Sequence, residues 1–138
     1  MSKEKILIAD GNARDRRILA DCLAAEGYDV LLAADGAEAV NTTRSQQPDL
    51  VVLNTTFPPD VAFGGGAFAD GFHVINWLRR LPETEAMRFL LITDEDADKL
   101  RDKARAMGAK GLCQKPINPD TLVSVVQRIL GSAPPPPE

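Results

Sequence analysis

An α/β fold, with one doubly wound parallel sheet of five strands and five helices, is predicted by three features of the sequence. Short apolar runs alternate with amphipathic stretches along the chain. Each run is of strand length and is bounded by Gly, Pro, Asp or Asn, residues that punctuate regular structure. Several runs are apolar throughout, which suits parallel strands covered on both faces rather than a sheet with one wet side. The length of 138 residues, 44% of them hydrophobic, is that of a single domain able to bury a core.

Taken in order, "KILIA" (5–9) is the first strand. In "RDRRILADCLAAEG" the apolar residues Ile18, Leu19, Cys22 and Leu23 recur at helical spacing, and Gly27 supplies a stop. "DVLLA" (29–33), "DLVVL" (49–53), "RFLLIT" (88–93) and "GLCQ" (111–114) are the remaining strands. Asn118 caps the last helix, Pro119 fits its first position, and Leu122, Val125, Val126, Ile129 and Leu130 form one stripe. Right-handed crossovers then give a flavodoxin-like sheet of order 2-1-3-4-5, in which ligands sit outside the carboxyl ends of the strands. Chemistry is therefore expected at the strand tips: Asp10-Gly11-Asn12, Asn54, Thr93-Asp94 and Lys115-Pro116.

Composition narrows the function classes. Sixteen Lys and Arg against twenty Asp and Glu give a formal charge of -4, so no basic field attracts nucleic acid or anionic lipid. No apolar run approaches the roughly 18 residues of a membrane span, and "MSKEKILIAD" has no apolar h-region with a cleavage site; a cytoplasmic location is expected. The two cysteines, Cys22 and Cys113, have no partners at metal-ligand spacing and read as small core residues.

"KILIADGN", "PDLVVLN", "DGFHVINWLR", "LLIT", "MGAKGLCQKPI" and the closing helix, in this order and spacing, resemble the receiver domain (CheY-like) of bacterial two-component response regulators across residues 3–130. The resemblance implies an aspartate at the third strand tip that takes a phosphoryl group from a histidine kinase. Such chemistry needs a carboxylate nucleophile, a Mg2+ ion and fixed donors to the phosphoryl group. Thr93 matches the hydroxyl donor, and Lys115, followed by Pro116, matches the ammonium. Elsewhere the pattern is broken. Asn54 stands where the acceptor aspartate belongs, and a neutral amide is a very poor phosphoryl acceptor. Of the two adjacent acids at the first strand tip, Asp10 is present and Gly11 replaces the main metal ligand. Leu112 occupies the place of the aromatic switch residue.

Counting only the matched charges, Asp10 and Lys115, the pocket sums to zero and Mg2+ binding is expected to be weak or absent. Lys115 is expected to pair with Asp10 or to donate to the Asn54 side-chain oxygen. The expected function is an atypical receiver of a phosphorelay pathway, a pseudo-receiver that acts by protein–protein interaction and is not an enzyme. Its partner would be a histidine kinase, an output protein or a second receiver. The alternative is a phosphorylatable receiver, in which Asn54 replaces a natural aspartate or an inserted loop repairs the metal site.

That loop is the second departure. Eleven residues, 59–69, separate Pro58 from Asp70, where the family pattern carries two. Gly64, Gly65 and Gly66 lack the Lys-Ser/Thr of a P-loop. The stretch reads as a surface loop, or as a docking arm with Phe63 and Phe68 as anchors and Asp60 or Asp70 as replacement acids. His73 reads as a partly exposed helical residue, and Trp77 as packing or, on its other reading, as an exposed anchor for a partner. "DEDADKLRDKARAMG" reads as a solvated helix face with modest partner use. The receiver domain is expected over residues 1–131, followed by a Pro-rich extended tail at 132–138, where Pro134 to Pro137 cannot continue a helix.

Overall fold

The computed structural model describes residues 4–57 and 70–131. Along the chain run β1 (Lys5–Ala9), α1 (Ala13–Ala25), β2 (Asp29–Ala33), α2 (Gly36–Gln46), β3 (Leu50–Asn54), α3 (Gly71–Arg79), β4 (Phe89–Thr93), α4 (Ala97–Ala106), β5 (Gly111–Gln114) and α5 (Pro119–Gly131). The strands form one parallel sheet in the order β2-β1-β3-β4-β5. Because β1 lies between β2 and β3, the winding reverses there and a crevice opens above the β1 and β3 tips.

Alternation along each inner strand divides the core between the two faces of the sheet. Leu7, Val51, Leu53, Phe89 and Leu91 pack with Val40, Ile75 and Leu78 of α2 and α3. Ile6, Ile8, Leu50, Val52, Leu90 and Ile92 pack with Leu19 and Leu23 of α1 and Leu122, Val126 and Ile129 of α5. Each fully buried side chain of this kind stabilises the fold by about 2 kcal/mol. That both faces are covered explains why, after Lys5 at the start of β1, the inner strands β1, β3 and β4 carry no polar residue until their tips.

Helix starts follow one device. Asn12, Asp35, Asp70 and Asp96 each accept a hydrogen bond from a backbone N–H of the first turn of α1, α2, α3 and α4. Asn118 Oδ1 does the same at α5, accepting from Asp120 N at 2.8 Å. Gly27, at φ +95, ends α1 in a backbone region where other side chains are strained.

Some expectations are corrected. The third strand is shifted by one residue, because Asp49 is spent accepting from Lys5 N at 2.7 Å while Asn54 continues the ladder opposite Ile92. Ile18, placed in the apolar stripe of α1, is 49% exposed, and Trp77, expected to pack, is 44% exposed on α3. Cys22 and Cys113 are half-buried against the α1 and α5 side of the core. Burial raises the pKa of both thiols. Asp60, Phe63, Gly64, Gly65, Gly66, Phe68 and the tail prolines Pro134 to Pro137 lie outside the described residues.

Candidate functional site

The polar tips of β1, β3, β4 and β5 meet in one hydrogen-bonded cluster. Asp10, fully buried, follows β1 and is anchored through its own N–H to Ala33 O of β2 at 3.1 Å. Its Oδ1 accepts from Asn12 N at 2.9 Å and from Asn54 Nδ2 at 3.3 Å. Its Oδ2 takes the Lys115 ammonium at 2.7 Å. Asn12 also caps α1 by accepting from Asp15 N at 2.9 Å, and the first turn so formed puts Asp15 Oδ2 2.9 Å from Lys115 Nζ. Gly11, between Asp10 and Asn12, brings no side chain to the cluster.

On the β3 side, Asn54 Oδ1 accepts from Thr55 N at 3.0 Å. The Thr55 and Thr93 hydroxyls share a hydrogen bond of 2.9 Å, and Thr93 Oγ1 also accepts from Glu95 N at 3.0 Å. Lys115 N donates to Thr93 O at 2.7 Å, which holds the lysine at the β4 tip; the peptide bond to Pro116 is cis. Burial on its own pulls the Lys115 pKa down. Its hydrogen bonds to Asp10 and Asp15, with the charges of Asp10 and Asp94, outweigh that and hold the ammonium above its ordinary value.

Of the two partners expected for Lys115, the structure has Asp10; the Asn54 oxygen is turned to Thr55 instead. The charge count needs a larger correction. Asp15 and, at 3.9 Å, the largely exposed Asp94 join Asp10 around the single ammonium, so the cluster sums formally to -2 rather than zero. The oxygens are nevertheless committed: Asp10 holds an ammonium and two N–H groups. Among the described residues, no three His, Cys, Asp or Glu side chains converge to form a cation site. Asp70, considered as a replacement acid, caps α3 by accepting from Phe72 N at 2.7 Å. His73 is exposed on α3, and Leu112 packs half-buried against the α2 and α3 side of the core, opposite Leu91.

A cavity of about 390 Å³ opens beside Lys115, between Asp15 and Ile18 of α1 and Pro116 and Ile117 after β5. The exposed Ile18 lines this opening. Asn54 and Thr93 do not line it.

The family model of the response regulator receiver domain matches residues 6–127. The chain belongs to that family. It is a receiver domain of two-component response regulators, a regulatory rather than a biosynthetic or degradative class. It is 33% identical over 130 residues to the "Probable transcriptional regulator ycf27" of Porphyridium aerugineum, covering 94% of this chain and 49% of that protein. Protein PilH of Pseudomonas aeruginosa is 25% identical over 126 residues, which cover 91% of this chain and 97% of PilH. The chain thus spans about half the length of the ycf27 relatives it matches. Chemotaxis response regulator CheY4 of Vibrio cholerae superposes with a TM-score of 0.80 at 26% identity, over 93% of this receiver and 99% of CheY4.

Two members of the cluster, Asp15 and Thr55, were not anticipated from sequence. Asp15 was legible in principle. An acid in the first turn of a helix whose N-cap lies two residues after the tip residue Asp10 sits beside the crevice at that tip. Thr55 gave less signal, since only the parallel pairing of β3 with β4 sets it opposite Thr93.

Proposed function

We propose that this receiver domain no longer runs the phosphotransfer cycle and works as a protein-interaction module in a two-component pathway. The observation that carries this is the side-chain bond from Asn54 to Asp10. Two carboxylates at these tips would repel one another by about 4 kcal/mol at 4 Å and an effective dielectric near 20, unless a cation lay between them. The Asn54 amide removes that repulsion by donating directly, so β1 and β3 are tied without an ion.

Mg2+ demands near-octahedral oxygen ligation and dehydrates reluctantly. Asn54 supplies no charge, Gly11 supplies no ligand, and both Asp10 oxygens are engaged. The residues do not fit the ion, and on this reading binding is weak or absent. Thr93 and Lys115 keep the places of the phosphoryl contacts, yet each is tied into the resting network. Leu112, in the place of the switch aromatic, is already packed on the core.

The proposed partner is a histidine kinase, an output protein or a second receiver, in a bacterial cytoplasm. The proposed receiver unit spans residues 1–131, with 59–69 as an inserted loop and 132–138 as a tail. A second reading draws on Asp15 and Asp94: they are the carboxylates that a phosphorylatable pocket would use for Mg2+ once Lys115 moved away. One experiment decides between the two. The chain is incubated with acetyl phosphate and Mg2+ and followed by intact mass and by calorimetric Mg2+ titration. Neither adduct nor titratable Mg2+ site is expected, whereas the Gly11→Asp/Asn54→Asp double variant should gain both. An adduct on the unaltered chain overturns the proposal.

A further inference from the structure

The cavity beside Lys115, of about 390 Å³, has walls of two kinds. Ile18 and Leu19 of α1, with Pro116 and Ile117 after β5, make its apolar half, while Asp15, Asp94 and Lys115 make the polar half. Its volume falls among small-molecule sites, roughly 300–1,000 Å³, whereas two other hollows of the fold, about 260 Å³ each, fall short of them. Ile18 and Pro116 are exposed there, so an apolar occupant would take both from water.

The charges of the polar half select the sign of that occupant. Lys115 is already spent on Asp10 at 2.7 Å and Asp15 at 2.9 Å, with Asp94 at 3.9 Å, so an entering anion meets three carboxylates around one paired ammonium. Two carboxylates and one ammonium line the cavity, which leaves one negative charge over. The Arg16 guanidinium donates to Asp10 O at 2.7 Å and does not line it. Among the described residues, Asp15 Oδ1 and both Asp94 oxygens accept no hydrogen bond. We infer that this cavity binds a small organic cation, a primary ammonium or amidinium carried on an apolar body. The head donates to Asp15 and Asp94, and the body lies over Ile18, Pro116 and Ile117. A bare metal ion uses only the polar half. Mg2+ dehydrates reluctantly and needs Lys115 to move away, whereas an organic cation leaves the lysine in place. The inference goes beyond the proposed interaction role, because it gives the receiver a small-molecule ligand seated beside the strand tips rather than on Asn54, which does not line the cavity.

The test is a nuclear magnetic resonance titration of the full chain, labelled with nitrogen-15, against phenethylamine, benzamidine and isoamylamine. Phenylethanol and phenylpropionate serve as neutral and anionic counterparts, and methylammonium as a head without a body. At least one of the three amphiphilic cations should saturate the chain at millimolar concentration, with amide shifts gathered at Ile18, Lys115 and Ile117. Asp94→Asn should weaken that cation about threefold, as the loss of an exposed ion pair does. Ile18→Gln should weaken it about fivefold through lost apolar cover. Both positions are exposed, and circular dichroism verifies that the variants are folded. Absence of saturation by all three, shifts centred elsewhere, or equal binding of phenylethanol, phenylpropionate or methylammonium overturns the inference. So does unchanged affinity in both folded variants, or displacement of the probe by an equal concentration of Mg2+. The first titrations contain neither phosphodonor nor metal, so their failure leaves the phosphotransfer result standing, and a phosphoryl adduct on the chain leaves the titration result standing.

Discussion

Lys115 is gripped by Asp10 at 2.7 Å and Asp15 at 2.9 Å, with a tenth of its side chain exposed. Removing one member of a buried pair leaves the other charge without compensation, which costs more than the pair itself contributes. Lys115→Met is therefore expected to destabilise the chain by about 3 kcal/mol, measured by urea unfolding, because Asp10 is left buried beside an apolar stem. A loss below about 0.5 kcal/mol, typical of a surface change, would mean that the ammonium is not what holds the acids together. At this scale the sequence named Asp10, Asn54, Thr93 and Lys115 as neighbours, since each follows a strand in a fold that collects strand tips. It left two partners open for Lys115, Asp10 or the Asn54 oxygen, and the structure has the first. Which oxygen of Asp10 faces Asn54 and which faces Lys115 depends on the packing of α1 and the course of the chain after β5.

Among the helices, α3 shows how close approach constrains composition. Gly71 N donates to Thr55 O at 2.8 Å, and a Cβ added at Gly71 would collide with the backbone carbonyl oxygen of Asn54. That carbonyl belongs to the strand and has no flexible side chain to yield. Gly71→Ala should destabilise by about 2 kcal/mol in equilibrium denaturation, with the displacement felt at Asn54. Unchanged stability would show that α3 slides freely against the β3 tip. Helix boundaries were legible at Asn118 and Gly27, where the sequence carries a recognisable cap or stop. Exposure of Ile18 and Trp77 was not, because helical periodicity marks a face without saying how far neighbouring elements extend over it.

For the molecule as a whole, the raised pKa of Lys115 links stability to alkaline pH. A folded pKa above the unfolded value means that the folded state holds this proton more tightly. The stabilisation is fully present below the ordinary lysine value of 10.5 and is lost as pH rises through the folded-state value. The gap in melting temperature between the unaltered chain and Lys115→Met should stay constant through neutral pH and narrow above about pH 10.5. A gap that instead widens with alkalinity would reverse the assigned direction. Among the described residues no helix is long and apolar enough to cross a membrane.

The gathering of functional residues at one edge was readable in advance, since right-handed crossovers put the strand tips on one side of the sheet and leave only a handful of strand orders, among which the resemblance to the receiver domain singles out 2-1-3-4-5. Charge balance was not. Asp15 lies five positions from Asp10 and one hundred from Lys115 along the chain, so its role depends on distances through space that periodicity does not encode. Residue types fixed which chemistry was missing at the β1 and β3 tips, because an amide and a glycine lack carboxylate oxygens in any conformation. The folded arrangement settled how the remaining acids are satisfied, because electrostatic energy follows separation and burial rather than order along the chain.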